Sequence, residues 1–434
     1  MVCIMYDLTF IGCGTANTFA LISLIQKGYK GKIAVIEAGK DIYNRDRKEV
    51  MKGFLGAGLY SDAKIILSTT TGGNIEQYID GEDLIQLDYQ FFKILREFHK
   101  KELNIIVPKI NDLNKYKPFE VLINKTLHLG SEYGEAFGKK VYDYIKQQPN
   151  IDFFFESEVH DIIKEYNYIE KSNNYIIRYQ STIRYSPSFL DTKKIVIGAG
   201  KSGIKFLNKF TNDFNITTTE SEPNIGVRVE VPYNITKELT NLFYDFKLLL
   251  THPNYNITAR SFCVSPKGMV ITENTYDMVT YNGGSYKDKE KQTNKTNFGI
   301  MCTPNIPKEY KSAFEFQKSI VEKAQLNKYL AYTQIIADEW FNQQEKLETI
   351  FTEPIYQTLT YWMENFNKIT DGHFLPNVVI CIPEVKYVGQ KIKLEKDLSL
   401  TNYKDIYIVG DVAGISRGIY QAVLSGLHVA NSLI

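Results

Sequence analysis

The sequence predicts an α/β fold in which one parallel sheet is assembled from segments that lie far apart in the chain. Three apolar runs with the composition of β-strands, at residues 6–11, 193–197 and 405–409, are each followed at once by a glycine turn or a Gly-Asp pair. Between them the chain changes from helix-period to strand-period patterning and back. We therefore expect a discontinuous Rossmann-like domain with a parallel sheet and a β-meander, and an α+β domain inserted into it.

Composition limits the classes of protein to which the chain can belong. Its 434 residues are enough for two domains, and 51 Lys and Arg against 50 Asp and Glu leave a formal net charge of +1, so no overall field favours nucleic acid or membranes. Five scattered cysteines without C-x-x-C spacing argue against a disulfide framework or a zinc site. The start carries no basic leader, and no apolar run approaches the roughly 18 residues of a membrane span. We expect a soluble, cytoplasmic protein without a metal site.

The first element is a strand, a glycine turn and a helix. The strand at 6–11 ends at Gly12, Gly14 follows after one residue, and a helix-period pattern comes next. The first glycine permits a tight turn, and the second lets backbone approach a pyrophosphate at the helix N-terminus. Glu37 ends the second strand about 20 residues further on, where a carboxylate can accept ribose hydroxyls. Asn17 replaces the third glycine of G-x-G-x-x-G. We predict dinucleotide binding; the alternative is an ordinary βαβ unit with a glycine turn.

A second glycine-dense stretch lies at 53–64. Its closely spaced glycines, including Gly56 and Gly58, indicate backbone that lies against a flat or anionic ligand. The alternative interpretation is a surface loop.

Helix-period patterning dominates from 83 to about 148. We interpret this stretch as a connecting helical arm. Its two histidines, His99 and His128, have no partners at metal-ligand spacing, so we expect solvated or capping side chains.

A third glycine turn, Gly198-Ala-Gly200, follows the strand at 193–197. It could open a separate NAD(P)H domain, or its strand could return the chain to the first sheet. We favour the return strand, because no strand ending in an acid or arginine follows at the expected distance.

The region from 224 to 366 reads as a mixed sheet-and-helix substrate domain. Its pattern predicts a hairpin at 259–271 closed by a Pro-x-Gly turn, a buried strand at 298–302, and helices at 313–337 and 354–366.

The C-terminal stretch indicates the cofactor. The strand at 405–409 runs into Gly410-Asp411, and the helix after Gly418 carries small residues that would let it press close to a sheet. In a flavoprotein the N-terminal turn binds the ADP half of FAD, while a C-terminal acid reaches the ribityl hydroxyls and a helix N-terminus faces the flavin pyrimidine edge. Lys64 is expected along the flavin, where a cation stabilises the reduced anion. An NAD-only domain has no use for this second element, so we predict FAD; the alternative role for Asp411 is a helix N-cap.

These residues, with several central blocks, resemble a known group, the uncharacterised FAD-dependent dehydrogenases of the glutathione-reductase-type flavoprotein fold. The similarity runs nearly end to end, and its most specific blocks are Gly226-Val-Arg228-Val-Glu230, 260–268 and 282–286. The resemblance implies bound FAD, a nucleotide domain built from discontinuous segments, and redox chemistry on a substrate that the family leaves unidentified. Ser265 and Lys267 stand where members commonly carry a second cysteine and a glycine, so a dithiol role is not expected here.

The sequence nominates two groups of site residues. The predicted FAD-binding residues are Gly12, Gly14, Thr15, Ala16, Asn17, Glu37, Gly56, Gly58, Ser61, Asp62, Lys64, Val159, Gly198, Gly200, Gly410, Asp411, Gly418 and Ile419. The predicted catalytic residues are Cys263 as a thiol near the flavin, Tyr286 as a proton donor, and Arg260, with Arg228 as its alternative, as a group that binds a substrate carboxylate. Each of these four also has an ordinary structural interpretation.

The same patterns set the predicted domain boundaries. The FAD-binding domain is expected to comprise 1–82, 151–215 and 376–434, the helical arm 83–150, and the substrate domain 216–375.

The function that follows is that of an FAD-dependent oxidoreductase, either a dehydrogenase or a reductase. It would transfer a hydride through the flavin to or from an unidentified small-molecule substrate, with NAD(P)H as a candidate transient reductant. One alternative is a flavin-dependent enzyme that modifies nucleic acid at a tRNA or DNA base, since tRNA-modifying flavoproteins share this fold class. A non-catalytic flavin-binding scaffold is the other. No membrane partner is expected, and the sequence does not determine the oligomeric state.

Overall fold

The computed structural model describes residues 4–46, 49–99, 102–110, 112–167, 172–183, 186–275, 278–327 and 334–434. The strands are β1 Met5–Ile11, β2 Ile33–Ile36, β3 Lys64–Leu67, β4 Ile105–Ile106, β5 Glu120–Leu122, β6 Lys125–His128, β7 Ile151–Phe154, β8 Ser157–Asn167, β9 Ser172–Ser181, β10 Pro187–Ile197, β11 Thr218–Thr219, β12 Asn224–Pro232, β13 Lys247–Thr251, β14 Thr258–Ser265, β15 Met269–Thr275, β16 Met278–Gly284, β17 Lys295–Cys302, β18 Gln334–Ile336, β19 Val379–Lys386, β20 Lys391–Ile392, β21 Ser399–Leu400 and β22 Tyr403–Ile408. The helices are α1 Thr15–Gln26, α2 Gly56–Ser61, α3 Gly81–His99, α4 Ser131–Lys146, α5 Ile204–Asp213, α6 Tyr233–Phe243, α7 Ala313–Leu326, α8 Ala337–Asn342, α9 Gln344–Phe351, α10 Glu353–Ile369 and α11 Ile419–Ser432.

The chain divides into two compact units, each built from separated segments. Unit 1 comprises Met1–Asn104, Ser131–Thr219 and Gly389–Ile434, and unit 2 comprises Ile105–Gly130 and Glu220–Val388. These boundaries differ from the predicted ones, which placed the later division points after residues 215 and 375.

The predicted helical arm at 83–150 is not a separate element. Helices α3 and α4 belong to unit 1, whereas the residues between them form the short strands β4, β5 and β6 of unit 2. Strands of two to four residues are too short to show an alternating pattern, which is why the sequence did not reveal them.

The sheet of unit 1 confirms the predicted fold class. Its strand order is β21-β22-β10-β1-β2-β7, and β1 pairs in parallel with β2 and β10, as β10 does with β22. Strands β8, β9 and β10 form an antiparallel meander attached to this sheet. The strand before Gly198 is thus a return strand, as predicted, because Ile11, Ile197 and Ile408 lie in register across three adjacent strands.

Two helices of unit 1 pack closely because one of them carries a glycine at the contact. A Cβ added at Gly426 in α11 would lie 2.0 Å from the carbonyl oxygen of Ala16 in α1. The prediction that the small residues of α11 press against a sheet is therefore wrong for Gly426, which faces α1. Ser425 contacts the turn after β22, since its hydroxyl accepts a hydrogen bond from the Gly410 N–H at 3.0 Å.

Unit 2 contains a seven-stranded antiparallel sheet in the order β18-β19-β12-β17-β14-β13-β5. Strand β17 is buried along all but its first residue, which confirms the predicted buried strand at 298–302. An aromatic cluster packs on it: the rings of Phe298, Trp362 and Phe366 lie within 4.9–6.1 Å of one another, centroid to centroid. This cluster attaches α10 to the sheet.

The predicted hairpin at 259–271 is wrong. Strand β14 pairs with β13 and β17, whereas β15 pairs with β16 in a separate two-stranded sheet. The chain changes direction because Cys263 and Lys267 both have positive φ, 46° and 51°, and the β14–β17 register shifts between Phe262 and Ser265. A Pro-x-Gly turn is present, but it leads the chain into another sheet.

Two predicted helices have different bounds in the structure. Helix α10 covers and extends the predicted 354–366. The predicted helix at 313–337 instead ends at Leu326, α8 begins at Ala337, and residues 328–333 lie outside the described part of the chain. Within the described ranges, no helix combines the length and the apolar character needed to cross a membrane.

Candidate functional site

The glycine turn after β1 leads directly into the N-terminus of α1. Gly12 has a φ of +85°, and a Cβ there would lie 2.7 Å from the Gly198 carbonyl oxygen, so a side chain is excluded by the protein itself. A Cβ at Gly14 would meet only ordinary contacts at 3.6 and 3.9 Å. Gly14 is also the N-cap of α1 and supplies no side-chain hydrogen bond to the first turn. The N–H groups in the first turn of α1 therefore receive no side-chain hydrogen bond from the N-cap residue, which usually provides one.

Asn17 explains how the turn closes without the third glycine. Its side chain is fully buried, and its amide donates to the carbonyl oxygens of Ile11 and Gly12 at 3.2 and 2.7 Å. A Cβ at Gly198 would lie 2.6 Å from the Asn17 Nδ2 atom. The space gained at Gly198 thus accommodates the side chain at position 17, and Asn17 contacts the turn from inside the protein.

Glu37 is held by backbone donors of the protein itself. Its Oε2 accepts the Cys13 N–H at 2.7 Å, and its Oε1 accepts the N–H groups of Gly39 and Gly53, each at 2.8 Å. The residue is 6% exposed. Three of the roughly four acceptor positions of the carboxylate are therefore used before any ribose is considered.

The glycine-dense stretch at 53–64 contains a short helix, α2, rather than a loop. Gly56 packs on the first turn, since a Cβ there would lie 3.1 Å from the Gly14 Cα. Gly58, two residues later, would bring a Cβ to 2.8 Å from the Ile419 side chain at the start of α11. The Leu55 N–H also donates to the Cys13 carbonyl at 2.8 Å. This stretch therefore joins the first glycine turn to the N-terminus of the last helix.

Arg45 is a residue of this site that the sequence analysis did not nominate. Its guanidinium donates to the carbonyls of Phe54, Val50 and Gly56 at 2.6–3.0 Å and lies over the Tyr60 ring at 3.8 Å. Burial lowers the pKa of Arg45 to about 10, although the charge of Glu37 acts in the opposite direction. Arg45 thus fixes the loop that carries the Gly53 N–H donor. In the sequence its only signal was its position in a charged stretch.

The C-terminal Gly-Asp element follows β22, which lies in the same sheet as β1. Gly410 has a φ of +70°, and a Cβ there would lie 3.3 Å from the Ala16 Cβ. Asp411 is partly exposed; burial raises the pKa of its carboxyl group, and the charges of Lys201 and Arg417 moderate that increase. Gly418 is the N-cap of α11 and gives no side-chain cap, and a Cβ added there would meet nothing within 4 Å.

The other predicted FAD-binding residues lie in several parts of unit 1. Thr15 donates to the Leu55 carbonyl at 2.9 Å, and Lys64, whose side chain is 6% exposed, lies 4.0 Å from the Asp62 carboxylate. Val159 is buried in β8, opposite Tyr179 of β9. The remaining three are Ala16, buried in α1; Ser61, the last residue of α2; and Gly200, at a φ of +57° with open space around it.

Arg228, the alternative substrate-binding arginine, is completely buried in unit 2. Its guanidinium donates to Asn297 Oδ1 at 2.9 Å and to the Cys263 carbonyl at 2.8 Å, and lies 3.5 Å from Glu384 Oε2. Lys386 lies 3.2 Å from Glu384 and 3.3 Å from Glu273. Burial lowers the pKa of Lys386, but the two carboxylates outweigh it, and the net pKa is raised. Arg228 is thus a member of an internal charge network rather than an accessible carboxylate receptor.

The three predicted catalytic residues have different surroundings in unit 2. Arg260 donates to Asn224 Oδ1 at 2.6 Å. Cys263 is partly exposed, and its carbonyl is held by Arg228. Tyr286 is partly exposed, its carbonyl accepts from Gln292, and Lys291 lies over its ring at 5.7 Å.

The sequence predicted a solvated or capping side chain for His128, and the structure excludes the solvated one. It is 2% exposed and its Nδ1 atom hydrogen-bonds Tyr244 at 2.5 Å. Its position at the end of a four-residue strand gave no periodic signal of burial. His99 packs edge-on against Tyr133 at 5.6 Å.

Comparisons with known proteins give distant similarities. No family model matches the chain. An uncharacterised protein of Clostridium beijerinckii is 21% identical over 465 residues, covering 98% of this chain and 80% of that protein. These values do not assign the chain to a family.

Solved structures of low sequence identity extend over the whole chain. A mutant of Escherichia coli quinol fumarate reductase FrdA is 12% identical with a TM-score of 0.47, covering 100% of this chain and 70% of that one. Pseudomonas aeruginosa PqsL in complex with 2-aminobenzoylacetate is 9% identical with a TM-score of 0.44, covering 99% and 86%. A flavoprotein/dehydrogenase of Cytophaga hutchinsonii is 13% identical with a TM-score of 0.41, covering 98% and 77%. The chemistry of this chain has to follow from its own residues.

Proposed function

We propose that unit 1 binds FAD and that the protein is an FAD-dependent oxidoreductase, either a dehydrogenase or a reductase, acting on a small-molecule substrate. The observation that carries this proposal is the position of two elements nearly 400 residues apart: the turn at Gly12–Gly14 and the Gly410–Asp411 pair follow β1 and β22, which flank β10 in one parallel sheet. FAD extends further than NAD at its redox end, so one bound FAD can contact both elements.

The turn after β1 is suited to the pyrophosphate. Gly14 adds no side chain where the protein itself leaves room for one, and the N-terminus of α1 presents uncapped N–H groups with the positive end of the helix dipole. We propose that these donors hold the phosphate oxygens. Gly12 and Asn17 shape the turn without contacting the ligand.

The end of β22 is suited to the flavin half. A partly exposed carboxylate with a raised pKa gains from hydroxyl donors, and Asp411 is placed to accept from the ribityl chain. Gly418 at the uncapped start of α11 leaves N–H donors for the pyrimidine edge of the ring. Lys64 is our candidate for a cation along the flavin.

Glu37 has fewer free acceptor positions for the hydroxyls of the adenosine ribose than the sequence predicted. Because three backbone N–H groups already donate to it, a ribose hydroxyl would be a fourth donor, which a carboxylate still accommodates. We propose that its larger contribution is to hold the turn, residue 39 and residue 53 together around the adenosine.

FAD, when bound, supplies hydride and electron chemistry, so the chain itself has to contribute position, electrostatics and proton transfer. Cys263, Tyr286 and Arg260 remain the proposed catalytic residues of unit 2. NAD(P)H remains the proposed reductant. The uncharacterised FAD-dependent dehydrogenases remain the proposed family, on the strength of the shared motifs.

The test of FAD binding compares two glycines of unit 1. We expect purified protein to be yellow, and Gly14→Ala to weaken FAD binding by at least about tenfold, or ~1.4 kcal/mol, because its Cβ enters the pyrophosphate position. Gly81→Ala is the matched control, since a Cβ at Gly81 meets nothing within 4 Å. FAD affinity is measured by fluorescence titration and stability by urea unfolding. Protein that takes up no FAD, or equal FAD affinity of both variants, contradicts the proposal.

The oxidoreductase activity has a separate test. FAD-loaded protein is mixed anaerobically with NADH or NADPH in a stopped-flow instrument, and the flavin absorbance is followed before and after air is admitted. Bleaching with recovery in air supports an oxidoreductase, and chemical photoreduction shows whether the bound flavin accepts electrons at all. A flavin that binds but cannot be reduced by either route indicates a scaffold.

A further inference from the structure

Three polar side chains from separate parts of unit 2 meet at one phenol oxygen. The Oη atom of Tyr244 lies 2.5 Å from His128 Nδ1 and 3.4 Å from Ser285 Oγ. His128 and Ser285 are 2% and 1% exposed, whereas Tyr244 is partly exposed. The two rings also stack at a tilt, with centroids 5.1 Å apart and planes at 37°. A buried imidazole and a buried hydroxyl thus converge on the phenol oxygen of a partly exposed tyrosine.

The backbone at Tyr244 adopts a conformation that L-residues rarely take. Its φ and ψ are +59° and −58°, and the Asp245 N–H donates to the Phe243 carbonyl at 2.7 Å. This is the left-handed γ-turn, a strained form. Such a strained residue persists only where its surroundings require it. A glycine would adopt this conformation at lower cost, because it has no Cβ atom.

Neighbouring buried charges hold the strained turn. The Asp245 Oδ1 atom accepts from Lys247 Nζ at 2.8 Å and from the Val264 N–H at 3.1 Å. Asp245 is 4% exposed. The turn that carries Tyr244 is therefore fastened to the bulge of β14, next to the predicted catalytic Cys263.

A phenol that donates its hydrogen bond to a neutral imidazole nitrogen can pass its proton to that nitrogen, and the phenol oxygen can then accept a proton from another group. We propose that Tyr244 and His128 form a proton-transfer site, with Tyr244 Oη as the atom that meets the ligand. The ligand class is a small molecule with a hydroxyl or carbonyl oxygen, and Ser285 is a positioning residue that orients the phenol.

The proton step balances without a redox partner. When the ligand loses a proton, its O–H proton passes to Tyr244 Oη while the phenol proton passes to His128 Nδ1, and the O–H bond of the ligand breaks as the N–H bond forms. The reverse sequence returns the proton to the ligand oxygen. No electron is transferred, so this site does not depend on the FAD proposal.

The first experiment examines the pair itself. The His128 side-chain nitrogens are observed by ¹⁵N NMR in the full-length protein, in Tyr244→Phe and in Ser285→Ala. We expect Tyr244→Phe to shift the Nδ1 resonance strongly, because the ring remains and only the hydroxyl is lost, and Ser285→Ala to shift it less. An Nδ1 resonance that is the same with and without the Tyr244 hydroxyl overturns the pair.

The second experiment examines reactivity, which a merely structural contact does not change. Tyrosine nitration by tetranitromethane requires the phenolate, and peptide mapping reports Tyr244 and the partly exposed Tyr286 of the same unit in one sample. We expect His128→Gln to slow nitration of Tyr244 by about tenfold, because the variant lacks the imidazole that takes up the phenol proton, and to leave Tyr286 unchanged. Equal nitration of Tyr244 in both proteins overturns the proton-transfer role. If His128→Gln does not fold, the ¹⁵N NMR comparison of the unmodified protein with Tyr244→Phe in the first experiment decides.

The third experiment examines the ligand class with 4-fluorophenol as the probe, observed by ¹⁹F NMR. We expect a saturable shift with the unmodified protein and loss of about tenfold in affinity in Tyr244→Phe. A probe that does not bind, or that binds both proteins equally, overturns the assignment of Tyr244 Oη as the ligand-facing atom. None of these readouts involves FAD, so their failure is distinct from failure of the flavin proposal.

Discussion

The glycine turn of unit 1 and the Arg228 network of unit 2 both stabilise buried charge, but they do so with different groups. In unit 1 the Glu37 carboxylate is satisfied by three backbone N–H groups, and the helix start at Gly14 carries no side-chain cap. In unit 2 the charges of Arg228, Glu384 and Lys386 are compensated by one another. The glycines near these two sites also differ in what they contact.

In unit 1 a glycine keeps backbone close to backbone. A Cβ at Gly12 would strike the Gly198 carbonyl. In unit 2 a glycine makes room for a charged side chain: a Cβ at Gly283 would lie 1.7 Å from Arg228 Nη2, and one at Gly299 would lie 2.8 Å from Glu384 Oε2. Glycine-rich motifs in one chain therefore serve two physical purposes, and only the first belongs to the proposed phosphate site.

The largest expected effect comes from removing one member of the unit 2 network. Arg228→Met leaves Glu384 and Asn297 without their guanidinium partner, and we expect a loss of about 3–5 kcal/mol in the free energy of unfolding. Lys318→Met is the control, because Lys318 and its partner Glu322 on α7 are both half-exposed and such pairs contribute less than about 1 kcal/mol. Urea unfolding measures both. Equal losses would remove the distinction between buried and surface charge in this unit.

A second prediction compares the glycines of the two units. Gly283→Ala pushes a methyl group into the Arg228 guanidinium, and we expect a loss of about 1–3 kcal/mol in the free energy of unfolding. Gly14→Ala should change it by less than about 0.5 kcal/mol, since only ordinary contacts at 3.6 and 3.9 Å await its Cβ. The comparison fails if Gly14→Ala unfolds the protein as readily as Gly283→Ala.

A third prediction concerns Glu37. Glu37→Gln removes the charge from three backbone hydrogen bonds and replaces one acceptor by a donor, and we expect FAD-free protein to lose about 2 kcal/mol of stability. Glu158→Gln is the control, because its carboxylate is half-exposed and 3.8 Å from Lys52. Chemical denaturation of the FAD-free variants is the measurement. An unchanged midpoint for Glu37→Gln shows that the carboxylate serves only a ligand.

A fourth prediction uses the pH dependence of Asp411. Burial raises the pKa of this carboxyl group in the folded state, so the folded protein binds more protons than the unfolded chain. FAD-free protein should therefore lose part of its stability as the pH rises from below the ordinary carboxyl pKa through the raised folded value. Asp411→Asn should flatten that dependence while weakening FAD binding by about tenfold. Thermal unfolding across pH and fluorescence titration check the two halves; Asp411→Asn with unchanged FAD affinity excludes the ribityl contact.

The smallest effect is expected at Asp161 on β8, where Lys209 and Arg178 lower the carboxyl pKa. A lowered pKa adds stability above the ordinary carboxyl value, and that stability is lost as the pH falls through the folded value. Because Lys209 is half-exposed, Asp161→Asn should cost less than about 1 kcal/mol at neutral pH. Asp213→Asn, which also removes a Lys209 partner, is the control. Urea unfolding measures both variants. A loss of stability above about 1 kcal/mol for Asp161→Asn would contradict its assignment as a solvent-screened surface charge.

The elements of unit 1 were predictable because their signals are local. The first glycine turn, its helix, the acid after β2 and the return strand before Gly198 each follow from a few adjacent residues. What the sequence could not reveal was how these side chains are already used: Glu37 is bound by the N–H of Gly53, which lies 16 residues away, and Arg45 holds that loop. Such contacts depend on tertiary packing and leave no periodic pattern.

Unit 2 was less predictable because its strands pair with strands that are distant in sequence. The turn at Ser265–Gly268 reads as a hairpin closure, yet β14 pairs with β17 while β15 pairs with β16. The approach of His128 to Tyr244 spans 116 residues. A histidine after a four-residue strand and a tyrosine at a helix end carry no sequence signal that would place them together.

The order of segments along the chain has a consequence for synthesis on the ribosome. All strands and helices of unit 2 precede residue 389, whereas the parallel sheet of unit 1 still lacks β22 and α11 at that point. Emergence from the exit tunnel thus permits the inserted unit to mature first, while the segments around it wait with an incomplete sheet. Until residues 389–434 have emerged, β10 lacks its neighbour β22 and leaves an unpaired sheet edge, which is the kind of surface on which chains aggregate.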